Sequence, residues 1–321
     1  MTSAGGQTMR DAFIGAICER MRFDRDIFFL TADFGAPALD RLRGEHQDRF
    51  INVGIAEQNM IGVATGLALE GFAVFAYGIA PFIAMRDYEQ IRVHLAILSQ
   101  TRPLNVNLIS VGAGVSYEVS GPTHHCPEDL SLMRTLPNLD LFSPSDAVLA
   151  ERFLAPALQR KQPKYLRFDG KALPPIYDDA TPIDFPSGFS VLAEGDDICL
   201  VATGFTTHMA LGLASEFARR GVRIGVVDVF SLRPLDEPAL SRRLGDYSLV
   251  ITLEEGFVGK GGLDSLIREI LARHEVKIEI KNFGFSDTYV FASATRSGLH
   301  KLYGLDGDAV SALIRRRAGL D

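Results

Sequence analysis

Apolar positions along the chain follow two alternating rhythms. Met9, Phe13, Ile17 and Met21 recur at helical spacing and predict a core-facing helix. A short apolar run, Ile27 to Leu30, predicts a strand. The stretch from Phe50 to Met60 then turns from buried strand into a helix that carries Ile61, Ala64, Leu67 and Ala68 and stops at Gly71. Phe72 to Ile79 predicts the next strand, Ile83 to Ser99 a helix, and Leu104 to Val111 and Tyr165 to Phe168 further strands. After residue 188 the rhythm resumes with strands over Ile198 to Ala202, Val222 to Val229 and Leu249 to Leu253. Helices are predicted up to Ala218 and over Ser265 to Arg273.

Strands written as continuous apolar runs are covered on both faces, and their alternation with helices predicts parallel sheets with right-handed crossovers. The expected fold class is α/β, with two domains, each a mainly parallel sheet flanked by helices. The first spans 8–171 and the second 188–321. Between them 172–187 reads as a linker, because Pro174, Pro175, Pro182 and Pro186 remove donors and restrict their neighbours. A chain of 321 residues with 47% hydrophobic content suits two cores. From Met60 to Met85 the chain is nearly uncharged, but Glu70, Gly71 and Pro81 interrupt it, so a helix, a turn and a strand explain it better than a membrane span.

A net charge of -7 without a basic run argues against nucleic acid and anionic membrane as partners. Three scattered cysteines and no export signal fit a reducing cytoplasm. Among candidate chemical groups, Glu57 comes first, an acid where strand becomes helix. Its plain role would be to complement the positive end of the helix dipole.

Its companions suggest more. Gly54-Ile55-Ala56-Glu57-Gln58-Asn59, Phe82 ahead of Asp87-Tyr88, and Gly121-Pro122-Thr123-His124 followed by Glu128-Asp129-Leu130 resemble the pyrimidine-binding domain of transketolases and 1-deoxyxylulose-phosphate synthases. Val201-Ala202-Thr203-Gly204 and Ser231-Leu232-Arg233-Pro234-Leu235-Asp236 resemble the C-terminal domain that follows in those enzymes. The resemblance implies thiamine diphosphate as cofactor. Glu57 would be the carboxyl that favours the imino form of its pyrimidine, helped by an apolar pocket in which desolvation disfavours the charged form. Phe82 would contact the pyrimidine ring, with Met85 and Tyr88 lining the same pocket and Asp33 nearby. His124 would face the substrate and move protons, with His125, Ser120 and Arg167 around it.

Such enzymes hold the diphosphate through a metal bound by a Gly-Asp-Gly segment, which this chain lacks, since Gly245-Asp246 is followed by Tyr247. The resemblance therefore implies the C-terminal half of a split enzyme. Its partner would be an N-terminal subunit carrying the diphosphate and Mg2+ (or Ca2+) site, in an α2β2 assembly with a homodimeric core. No P-loop or dinucleotide fingerprint is present around Gly256 to Gly262, and adjacent His124, His125 and Cys126 lack zinc-ligand spacing. Gly112, Ser120, Met85 and Asp169-Gly170-Lys171 replace charged or imidazole groups that sugar-phosphate enzymes of this kind carry, so a specialised acceptor sugar is expected. The implied activity is transfer of a two-carbon ketol unit from a ketose to an aldehyde. The alternatives are the beta subunit of a 2-oxo acid dehydrogenase and a non-catalytic partner-binding relative.

Overall fold

The computed structural model describes residues 6–32, 37–178 and 180–320. Helix α1 (Met9–Met21) starts where the Thr8 hydroxyl accepts from the Asp11 amide, and it buries Met9, Phe13, Ile17 and Met21. Strands β1 (Ile27–Thr31), β2 (Phe50–Asn52), β3 (Ala73–Ile79), β4 (Val106–Val111), β5 (Asp140–Phe142) and β6 (Lys164–Phe168) follow. They pair in parallel in the order β5-β6-β4-β3-β1-β2. Helix α2 (Pro37–Glu45) links β1 to β2, and α3 (Glu57–Leu69) links β2 to β3. Both faces of the sheet are covered, which is why β4 and β6 are buried at every position.

The second sheet comprises β7 (Phe189–Ala193), β8 (Ile198–Ala202), β9 (Ile224–Val229), β11 (Leu249–Phe257) and β12 (Glu279–Phe285). All its pairings are parallel except that of β7 with β9. One strand of the second unit, β10 (Ser231–Arg233), leaves it and pairs antiparallel with β5, closing the first sheet as a seventh strand. The Arg233 guanidinium secures this junction by donating to the carbonyls of Arg134, Leu136 and Leu139.

The segment read as a linker packs against the body of the protein. Asp146 accepts from the Ile176 and Tyr177 amides, and the buried Tyr177 hydroxyl donates to Asp228. No helix among the described residues is long and apolar enough to cross a membrane.

A second tie between the units is ionic. Glu255, at the end of β11, accepts from Arg296 Nε at 2.7 Å, Arg296 Nη2 at 2.6 Å and His300 Nε2 at 2.5 Å. Burial alone would raise this carboxyl, but Arg296 and His300 outweigh it and hold it well below the usual carboxylate range. The same guanidinium pairs with Asp169 at 2.6 Å and lies 3.6 Å from the Phe205 ring centroid. Gly114, from the loop after β4, fits against this cluster only because it lacks a side chain: a Cβ there would come within 2.1 Å of Glu255 Oε2.

Candidate active site

The crevice of interest opens at the carboxyl ends of the central strands β1 and β3, where open parallel sheets place ligands. Asn52 Oδ1 accepts from the Gly54 amide, and Gly54 takes a left-handed turn (φ 76°), so the chain reverses into α3 with Glu57 in its first turn. Beyond β3, Pro81 starts a helical stretch whose first segment, Phe82–Arg86, is wound as a π-helix. Such π segments interrupt regular helices and occur often at functional sites. Glu57, Phe82 and His124 line one cavity of about 260 Å³ together with Ala32, Ile55, Gly78 and Ile79. Gly78 keeps its floor low, since a Cβ there would lie 2.9 Å from Ile83 Cδ1.

Glu57 is almost fully buried and accepts from Arg86 Nη1 at 2.7 Å. The Arg86 guanidinium also lies over the Phe82 ring, 4.5 Å from its centroid. His124 meets Phe82 edge-on at 5.6 Å, and its Nδ1 is 3.0 Å from the Thr123 hydroxyl. The lining is thus apolar, with one carboxylate, one aromatic face and one imidazole.

Other residues expected here lie elsewhere. His125 is buried and packs edge-on against Tyr303 at 6.4 Å; adjacent side chains on this loop diverge, so it turns away from the crevice, and burial lowers its imidazole pKa. Arg167 cannot receive a substrate anion, because it is buried and its Nε is 2.8 and 3.0 Å from the two Asp129 oxygens while its Nη2 donates to the Glu255 carbonyl. The Tyr88 hydroxyl contacts Thr135 Oγ1 at 2.5 Å, and Tyr88 packs against the core rather than lining the crevice. Met85 and Ser120 are exposed and outside the lining set. Asp33 lies outside the described residues.

Larger clefts carry less chemistry. One of about 390 Å³ at the junction of the units contains Asp140, Arg160 and Lys164, but Asp140 already pairs with Arg160, and Lys164 donates to Asn105 Oδ1 and the Arg160 and Gln162 carbonyls. Cys18, Glu45 and His46 sit close enough to hold a metal ion. However, Glu45 is bound by Arg22 and Arg41, and the His46 ring nitrogens contact the Cys18 carbonyl and Arg49.

Two residues beside Glu57 were not expected at the site. Arg86 is one; Asp87, noted only as part of the motif after Phe82, is the other. Asp87 is completely buried, and neither of its carboxyl oxygens has a hydrogen-bond partner. Burial, reinforced by the Glu57 charge and only partly offset by Arg86, pushes it up to about 8. A carboxyl raised from 3.8 to about 8 binds its proton more tightly folded than unfolded, so its contribution to stability is complete below about pH 4 and is lost as pH rises towards 8. Asp87→Asn is therefore expected to flatten the fall in melting temperature of the isolated chain across that window, where the wild type loses up to about 1.4 kcal/mol per pH unit. Parallel wild-type and variant melting curves against pH would contradict this.

Fold and crevice define an α/β enzyme subunit whose site is a ring-sized slot with one acid at its base. Residues 6–175 match the transketolase pyrimidine-binding domain and residues 188–310 the transketolase C-terminal domain, so the chain belongs to the transketolase family. It is 35% identical over 266 residues to one of the subunits of the apulose-4-phosphate transketolase of Actinobacillus succinogenes, covering 83% of this chain and 84% of that protein. It is 31% identical to a 6-deoxy-6-sulfo-D-fructose transketolase subunit of Clostridium sp., over 88% of this chain and 85% of the relative. The solved structure of a split gene transketolase, an inactive beta4 tetramer, superposes with a TM-score of 0.85 at 32% identity, covering 98% of this chain and 99% of that one. The chain is a transketolase-like transferase subunit of the thiamine-diphosphate-dependent class, and the 2-oxo acid dehydrogenase alternative is not favoured.

Proposed function

We propose that this chain supplies the pyrimidine-binding wall of a two-chain transketolase that moves a two-carbon ketol unit to an aldehyde acceptor. The observation that carries the reading is the convergence of Glu57, Phe82 and His124, from three separate segments, on one apolar crevice. The lining fits the pyrimidine end of thiamine diphosphate: a flat ring finds an aromatic face, and its nitrogen finds a buried carboxyl. It does not fit the diphosphate end, for which no glycine cradle or acidic metal site adjoins the crevice among the described residues. When bound, the cofactor would supply the nucleophilic carbon that ketose cleavage requires. Glu57 holds the pyrimidine nitrogen and its proton, Phe82 sets the ring plane, and His124 donates to a substrate oxygen or relays a proton at its imidazole.

The missing wall belongs to an N-terminal partner that carries the diphosphate and Mg2+ (or Ca2+). Exposed Ile55 lines the crevice, and exposed Met85, Val93 and Ile97 follow along the helical stretch that begins beside it; together they support a buried interface on this side. An α2β2 assembly in the cytoplasm is the corresponding whole. The relatives' names point to specialised sugars as substrates. With Arg167 tied to Asp129, Lys171, 3.6 Å from Glu118, is an exposed cation near the substrate loop.

Calorimetric titration with thiamine diphosphate and Mg2+ tests the reading. The chain alone is expected to bind weakly and the reconstituted pair tightly; full affinity in the isolated chain would overturn the shared crevice. Phe82→Ala in the pair is expected to weaken cofactor binding by about 1 to 2 kcal/mol from lost ring contact and burial, with an unchanged Kd counting against a ring contact.

A further inference from the structure

Arg86 does two things at once at the crevice. Its Nη1 donates to Glu57 at 2.7 Å and its guanidinium plane lies over Phe82, 4.5 Å from the ring centroid. These are the two contacts that the proposed site offers a pyrimidine: a carboxyl for a ring nitrogen and an aromatic face for the ring. A guanidinium is flat, delocalised and rich in donors, so it satisfies the same pair of groups. Arg86 already holds Glu57 Oε2 and one face of the Phe82 ring, so a pyrimidine that takes that oxygen and that face displaces the guanidinium.

We propose that Arg86 is a positioning residue that holds Glu57 and Phe82 in register and gives them up to the cofactor's pyrimidine, setting cofactor affinity by competition. The inference rests on the thiamine reading above. Three features support it. The guanidinium is nearly half exposed while Glu57 is buried, so the arginine can swing outward at small desolvation cost whereas the carboxylate cannot follow. Arg86 ends the π-helical segment, where the backbone next turns at Asp87 (φ -98°, ψ 5°), so the side chain leaves from an irregular point of the helix. Asp87 beside it is buried without a partner, so Glu57 is the carboxylate that Arg86 serves. With the crevice filled, the freed cation remains at its rim, where it can meet an anionic group of cofactor or substrate.

The test uses the reconstituted pair and thiamine diphosphate with Mg2+ in a calorimeter, comparing wild type, Arg86→Met and Arg86→Lys. Competition predicts that Arg86→Met binds about three- to tenfold more tightly, since a half-exposed ion pair plus a cation–π contact corresponds to about 0.5 to 1.5 kcal/mol. Arg86→Lys, which keeps the charge and loses the plane, falls between. The isolated Arg86→Met chain also melts lower, because Glu57 loses its partner. A merely structural arginine cannot give tighter binding together with lower stability. Weaker or unchanged binding in Arg86→Met, with tight binding by the wild-type pair, overturns the competition alone. Failure of the wild-type pair to bind the cofactor overturns the thiamine reading and this inference with it. If Arg86→Met does not assemble, Arg86→Lys decides by the sign of its change in Kd.

Discussion

Glu57→Ala in the assembled enzyme is expected to slow exchange of the cofactor's thiazolium proton on the order of 10²- to 10⁴-fold, the range of a positioned acid–base group. Chain assembly should be untouched. The acid lies in an apolar slot, and Arg86 donates a hydrogen bond to it. Without the carboxyl, nothing among the described lining residues can hold the pyrimidine's proton: His124 faces the edge of Phe82 across the slot. Deuterium exchange into the bound cofactor, quenched with acid and read by NMR, measures the effect. Wild-type exchange in the variant would remove Glu57 from the mechanism.

Arg296→Ala is expected to cost about 3 to 5 kcal/mol of stability, the range found when one partner of a buried ion pair is removed. Glu255 would keep His300 as a partner, yet Asp169 would lose the guanidinium that pairs with it, and the Phe205 ring would lose the cation above it. The loss should reach the substrate loop. Gly114 packs on Glu255, whose carboxylate the Arg296 side chain holds in place, so the loop that ends in His124 is moored to this cluster even though the backbone amide at 296 still donates to Glu118 in the variant. Urea denaturation of the isolated chain measures the first effect, and a rise in KM of the pair the second. A stability change below about 1 kcal/mol would show that water replaces the pair without penalty.

Elements with strong apolar periodicity were legible from their own residues. Met9 to Met21, β3, β4 and β8 are of this kind, and the resemblance placed Glu57, Phe82 and His124 on separate segments that the fold brings together. What failed were inferences from charge type. Arg167 looked like an anion binder, but its partner Asp129 lies 38 positions away in the chain, and no local pattern reveals such a pairing. Arg86 and Asp87 were not expected beside Glu57 for a related reason: regular helical spacing was assumed over Ile83 to Ser99, and π-helical turns change which positions share a face. The expected linker was legible as irregular chain from its prolines. Its packing was not, because Tyr177 and Asp228 meet only in three dimensions.

The strand that crosses between the two halves has a practical consequence for anyone dividing the gene. A product ending in the 172–187 stretch would lack β10, leaving Asp140 to Phe142 as a bare margin with backbone donors and acceptors unmatched. Such margins recruit other copies of themselves. The amino-terminal piece alone should therefore precipitate or self-associate, and supplying the missing carboxyl-terminal piece in trans should return it to solution.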